Sequence, residues 1–147
     1  MVGCVRRTKR KIATFIDKLP ASARADVQIL HDVIAPIMDG LPKALFVGKF
    51  WGGSDQEILG YGVHTSVRPN GTEVEWFHVG LAVQKNYLSL YINAVEDRQY
   101  LSEKYGASLG KVKVGKASLS FKTVADIDLD KLRDLITKAR VIADQVG

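Results

Sequence analysis

The sequence predicts an α+β fold, an antiparallel sheet of five to six strands flanked by N- and C-terminal helices. Two observations carry this. Apolar residues recur at helical spacing at both ends of the chain, and the middle is a series of strand-like runs punctuated by turn residues. Helices at both ends of a strand meander pack on one face of such a sheet.

Ile12, Phe15, Ile16 and Leu19 stand at i, i+3, i+4 and i+7, one apolar helical stripe that stops at Pro20. Ser22 is the expected N-cap of a second helix with Val27, Leu30, Ile34 and Met38 on its buried side. Pro36 should kink or break it, because proline lacks the N–H that bonds back one turn. Strands are expected at Ala44–Phe50, Ile58–Val67, Glu73–Val83 and Tyr87–Asn93, then a short helix at Asp97–Tyr105. Two brief strands follow, Val112–Val114 and Ser118–Phe121. The last helix begins near Asp128, with Leu129, Leu132, Leu135, Ile136, Ala139 and Ile142 on one stripe.

A chain of 147 residues fits one domain, here with a core over about residues 10–145. Its 46% hydrophobic and 25% charged residues are ordinary globular composition. No apolar run has the length of a membrane span or a secretory h-region. The lone cysteine, Cys4, cannot form an internal disulfide, which fits a cytoplasmic protein. The net charge of +5 comes partly from Arg6-Arg7-Thr8-Lys9-Arg10-Lys11. Such a run can meet phosphates, but no zinc finger, RNP motif or basic heptad array accompanies it, so nucleic acid is disfavoured as a partner.

The hairpin turns fix registers. Pro69-Asn70-Gly71 reads as a three-residue loop pairing Arg68 with Thr72, hence Gly62 with His78 and His64 with Trp76. The apolar sets Phe77, Val79, Leu81, Val83 and Leu88, Leu90, Ile92 share a face only across a two-residue turn at Lys85-Asn86. That places Tyr91 opposite Gly80 and Asn93 opposite His78. The other face then gathers Gly60, Gly62, His64, Trp76, His78, Gly80, Ser89, Tyr91 and Asn93. Two readings follow. Either His64, Trp76, His78, Tyr91 and Asn93 line a shallow ligand pocket over a glycine floor, or Trp76 and Tyr91 cover the glycines as a second packed layer, the commoner fate of strand aromatics. Neither a metal site nor a cofactor is expected: His64 and His78 are two ligands, and no Cys or carboxylate joins them by the same parity.

The segments Gly60-Tyr61-Gly62-Val63-His64, Glu75-Trp76-Phe77 with Gly80, Lys85, and Leu88-Ser89-Leu90-Tyr91-Ile92 form a distinctive combination. Leu109–Lys116, Leu119–Lys122 and Asp126–Leu129 extend it. Together they resemble the YdhG-like family, a domain of unknown function, over roughly Ile12 to Ile142. The resemblance implies a frataxin-like topology and brings a frataxin-like iron-chaperone role as an alternative function. Frataxin-type iron binding uses a ridge of carboxylates. Here Asp17, Asp26, Asp32 and Asp39 are scattered beside seven Lys and Arg between Arg6 and Arg24. The family's Gly-Lys segment maps onto Gly110, Lys111, Lys113, Gly115 and Lys116. Its lysines either hold a carboxylate or phosphate or protect a sheet edge from aggregation.

No Gly-x-Ser-x-Gly elbow, Walker loop, dinucleotide fingerprint or His-Glu-x-x-His pair is present, and no catalytic residue is assigned. His31 and Asp32 are neighbours on a helix, about 100° apart, and are not expected to act as a dyad. The sequence therefore reads as a non-enzymatic binding protein for a small anionic molecule or a protein partner. Its candidate site residues are His64, Trp76, His78, Tyr91, Asn93, Lys111, Lys113 and Lys116.

Overall fold

The computed structural model describes residues 6–8, 12–49, 55–67, 69–84 and 86–146. In chain order the elements are β1 (Arg6–Thr8), α1 (Ile12–Asp17), α2 (Ala21–Ile37), β2 (Lys43–Lys49), β3 (Asp55–Tyr61), β4 (His64–Val67) and β5 (Glu73–Trp76). There follow β6 (Val79–Val83), β7 (Leu88–Ile92), β8 (Val95–Glu96), β9 (Gln99–Tyr100), α3 (Leu101–Tyr105), β10 (Lys113–Val114), β11 (Ser118–Phe121) and α4 (Leu129–Val146). Cys4, Lys9–Lys11, Phe50, Arg68 and Lys85, which figured in the sequence reading, lie outside the described residues.

The fold is α+β. Seven strands form one antiparallel sheet in the order β1-β2-β3-β6-β7-β11-β10, and β4-β5 and β8-β9 are separate two-stranded ribbons. The sheet gains an edge strand the sequence did not announce, because Arg6–Thr8 pairs with Leu45–Val47. Five strands bring one leucine each into register: Leu45 faces Leu59, Leu59 faces Leu81, Leu81 faces Leu90, and Leu90 faces Leu119. All five are fully buried. At about 1.5–3 kcal/mol for each buried leucine, this row is a main determinant of the sheet's register.

Helices α2 and α4 cover that row. Val27, Leu30 and Ile34 of α2 and Leu132, Leu135, Ile136 and Ala139 of α4 are buried, at the spacing one helical face requires. Asp128 caps α4, its Oδ1 accepting from the amides of Asp130 and Lys131 at 2.9 and 3.2 Å. The guanidinium of Arg140 on α4 donates to the carbonyls of Ile37 and Asp39, satisfying free acceptors at the end of α2.

Four local expectations are corrected. Helix α2 starts at Ala21 behind Pro20 with no side-chain cap, so Ser22 is not the N-cap. Pro36 does not break it: the helix runs one residue further, to Ile37, because the proline sits where the last turn ends anyway. The helix expected at Asp97–Tyr105 is shorter, since Asp97 and Arg98 form the tight turn of the β8-β9 ribbon with φ of 53° and 68°. The strands expected at Ile58–Val67 and Glu73–Val83 are each broken, and this break shapes the candidate site.

Candidate functional site

The break lies at Gly62 and at Phe77-His78. Gly62 adopts φ +72°, which favours glycine, and a Cβ there would stand 2.9 Å from His78 Cδ2. The amides of Gly62 and Val63 both donate to Pro42 O, and the amide of His78 donates to Tyr61 O at 3.1 Å. Beyond this point β4 and β5 leave the sheet as a flap. Within the flap the register is the expected one, with His64 opposite Trp76. Across the next hairpin the register is also the expected one, since Val83 pairs with Leu88 and Gly80 with Tyr91.

The break changes where Phe77 goes. A continuous strand would have put it with Val79 and Leu81 against the helices. Instead it is fully buried on the opposite face, in a second cluster with Ala44, Phe46, Ile58 and Ala82. Phe77 lies 5.5 Å from Phe46 and 4.3 Å from Trp76 between ring centroids. A Cβ added at Gly80 would stand 2.5 Å from Phe77 Cε1, and one at Gly60 would stand 2.9 Å from Phe77 Cβ. The glycine floor therefore accommodates a phenylalanine, with Trp76 and Tyr91 packed at the cluster's margin. This is the packed-layer alternative, with Phe77 as its centre.

The expected aromatic–imidazole face is accordingly dispersed. His64 and His78 stack on each other at 4.2 Å, half-buried, with His64 Nδ1 3.2 Å from Gly62 O. Burial holds the His78 imidazole below its ordinary pKa, and the nearby His64 pushes the same way against an opposing pull from Asp144. Asn93 donates through Nδ2 to Phe77 O at 2.7 Å, fastening the break. Among the described residues no three His, Cys, Asp or Glu side chains gather as a metal site. His31 does not pair with Asp32. Its Nδ1 shares a 2.7 Å hydrogen bond with the hydroxyl of buried Tyr61, and Asp32 accepts from Gln28.

What remains open is the other half of the same sheet face. There β7, β11 and the β10 segment form a groove of about 820 Å³. Alternate residues of a strand share a face, and three such strips line the groove. On β7 and the residue before it the strip is Tyr87, Ser89 and Tyr91. On β11 and the residue after it the strip is Ser118, Ser120 and Lys122. On the β10 side it is Lys111, Lys113 and Gly115. Pairing sets Tyr91 beside Ser118, Ser89 beside Ser120, and Ser120 beside Lys113. Ser89 Oγ and Ser120 Oγ are 3.4 Å apart, and Gln84 Nε2 donates to the Tyr91 hydroxyl at 3.5 Å. Burial raises the Tyr91 phenol above its ordinary pKa, so it is a neutral donor and acceptor.

The position of Lys111 follows from Gly110, whose φ of +137° brings it against the carbonyl of Asp126; Lys111 N donates to that carbonyl at 2.9 Å. Lys111, Lys113 and Lys122 are all exposed, and among the described residues none of them has an ion-pair partner. Among the described residues Asp126 is the one carboxylate on the groove's wall. The arrangement is chemically simple: a hydroxyl-lined floor between a tyrosine wall and a cationic rim.

Of the residues singled out from sequence, Tyr91, Lys111 and Lys113 meet in this groove, whereas His64, Trp76, His78, Asn93 and Lys116 do not line it. Lys116 is exposed, and its carbonyl accepts from Ser102 Oγ at 2.7 Å. Tyr87, Ser118, Ser120 and Lys122 were missed. Their signal was the period of two in Tyr87-Leu88-Ser89-Leu90-Tyr91 and Ser118-Leu119-Ser120-Phe121-Lys122, legible once the two strands are paired. Comparison with family models, with curated protein sequences and with solved structures gives no match. Among the described residues no helix is long and apolar enough to cross a membrane.

Proposed function

We propose that this protein is a non-enzymatic binding protein that holds a small anion in the groove between β7, β11 and β10. The observation that carries the reading is the set of three lysines, exposed and without ion-pair partners among the described residues, around a floor of serine and tyrosine hydroxyls. Ammonium groups so placed give charge-assisted hydrogen bonds to a phosphate or carboxylate, and the hydroxyls complete its shell. The resemblance to the YdhG-like family supports the same place, because its Gly-Lys segment supplies Lys111 and Lys113. Edge protection does not compete with this role, since β10 is the sheet edge and Lys113 both ends the sheet and lines the groove. A single cysteine fits residence in a reducing cytoplasm. The iron-chaperone alternative has no comparable grouping of ligands behind it among the described residues.

The test is the melting temperature with phosphate or succinate at constant ionic strength. At ~100 times its dissociation constant a ligand of the folded state adds about 2.7 kcal/mol. Changing Lys111, Lys113 and Lys122 together to Ala should remove the shift while leaving the unliganded fold intact, because exposed lysines contribute little to stability. A shift that survives the triple change places the anion elsewhere and refutes the reading.

A further inference from the structure

We infer that the anion this groove takes is a phosphorylated ligand carrying a planar ring, of the nucleoside monophosphate class; the inference rests on the anion-binding reading above. Size is the first argument. A groove of about 820 Å³ lies within the 300–1,000 Å³ typical of sites for drug-sized ligands. Inorganic phosphate or a small dicarboxylate would leave most of it to water.

Order is the second argument. Moving across the strands, the groove carries Tyr87, Ser89 and Tyr91 at β7, Ser118, Ser120 and Lys122 at β11, and Lys111, Lys113 and Gly115 on the β10 side, so its tyrosines stand only at the first wall and its lysines only beyond it. Two inter-strand spacings separate the walls, roughly 10 Å. A ring joined through a sugar to a phosphate presents the same polarity, an aromatic end and an anionic end with hydroxyls between them. The ring lies against tyrosine, the sugar hydroxyls meet Ser118 and Ser120, and the phosphate reaches Lys111 and Lys113.

The third argument is Tyr87. It is 44% exposed although large and apolar in most of its surface, and it stands at the groove's wall rather than in either core cluster. A tyrosine in that setting is a stacking platform for a ring, and stacking tolerates any base because each has a π-face. The hydroxyl floor offers no fixed array of donors and acceptors to read a base edge, so the geometry points to the class and not to one base.

Titration calorimetry on the full chain with inorganic phosphate, ribose 5-phosphate, adenosine and AMP tests this. AMP should bind at least ~10-fold tighter than ribose 5-phosphate, and ribose 5-phosphate tighter than phosphate. Tyr87→Ser should weaken AMP by between about fivefold and a hundredfold, the range of one lost stacking contact, and leave ribose 5-phosphate unchanged. Tyr87 is exposed, so this variant folds; a matching melting temperature without ligand verifies it. If phosphate binds and AMP binds no tighter, the ring is not recognised and this inference fails while the anion reading stands. If no anion binds, both fail. If Tyr87→Ser weakens AMP and ribose 5-phosphate equally, the tyrosine is no stacking platform and the inference is overturned.

Discussion

The glycine floor separates a roofed layer from a ligand pocket, and Gly80→Ala tests which it is. The added Cβ would stand 2.5 Å from Phe77 Cε1 and 2.9 Å from Ile58 Cγ2. Both neighbours are fully buried, so neither side chain can swing into solvent to make room. Overpacking of this kind costs about 1–3 kcal/mol. Replacing glycine within a strand returns roughly 0.5–1 kcal/mol of backbone entropy. A net loss of about 1–2 kcal/mol is expected, which at roughly 2–4 °C per kcal/mol lowers Tm by about 2–8 °C. The double variant with Phe77→Leu identifies the cause. Leucine lacks the distal ring atoms that meet the new Cβ, so the two changes should couple by about 1 kcal/mol or more in a denaturant double-mutant cycle. Urea unfolding followed by circular dichroism measures all four corners. Gly80→Ala at or above the parent's stability, or strict additivity with Phe77→Leu, would refute the roof.

Asp128→Ala removes the cap of α4 and should cost about 1 kcal/mol by the same assay, with Asp128→Ser losing much less. Leu81→Ala, at the centre of the leucine row, should cost about 2–5 kcal/mol, and a value under 1 kcal/mol would mean the row is not the register's anchor. Arg98→Gly should stabilise by up to about 1 kcal/mol, because both central residues of the β8-β9 turn sit at positive φ, the conformation that favours glycine. Stability should also fall in acid through two histidines. Burial is the main cause that holds His31 and His78 below their ordinary pKa of 6.5, so the unfolded chain takes up protons that the fold resists. Their contribution is complete above about pH 6.5 and is lost as pH falls through the folded values. The His31→Asn, His78→Asn pair should flatten the fall of Tm between pH 7 and 5, and an unchanged slope would assign it to other groups.

The fold was legible where a local pattern and a long-range requirement agree. Leu59, Leu81 and Leu90 each sit on a strand whose alternation already names the buried face, so their pairing needed only the turns. Asp128 followed by Leu129 and Leu132 announces a cap and a stripe with no tertiary information. The break at Gly62 and Phe77-His78 was illegible for the converse reason. The alternation does change phase where Trp76 meets Phe77, two apolar residues in succession, but nothing local states that the amide of His78 goes to Tyr61 O.

The same break explains why the candidate site was only half readable. Parity propagates along a strand without loss, so one undetected kink misplaces every residue beyond it. His64, Trp76 and His78 lie beyond the kink or at it, and all three fell outside the groove. Tyr91 lies on an unbroken strand, and the sequence placed it correctly opposite Gly80. Lys122 shows a different limit. It is one residue past the end of β11, and it lines the groove only because β11 pairs with β7 across more than 25 intervening residues. A non-local pairing of that kind leaves no trace in turn chemistry. What the sequence does carry is the alternation itself: serine, serine and lysine on one strand, and tyrosine, serine and tyrosine on the other. Both strips are polar where the opposite strand face is uniformly Leu, Ile or Phe. The helices pack on the leucine face, and on the other face Phe77 lies over Gly80 with Tyr91 at the margin of its cluster, so the groove of β7, β11 and β10 begins where that second cluster ends.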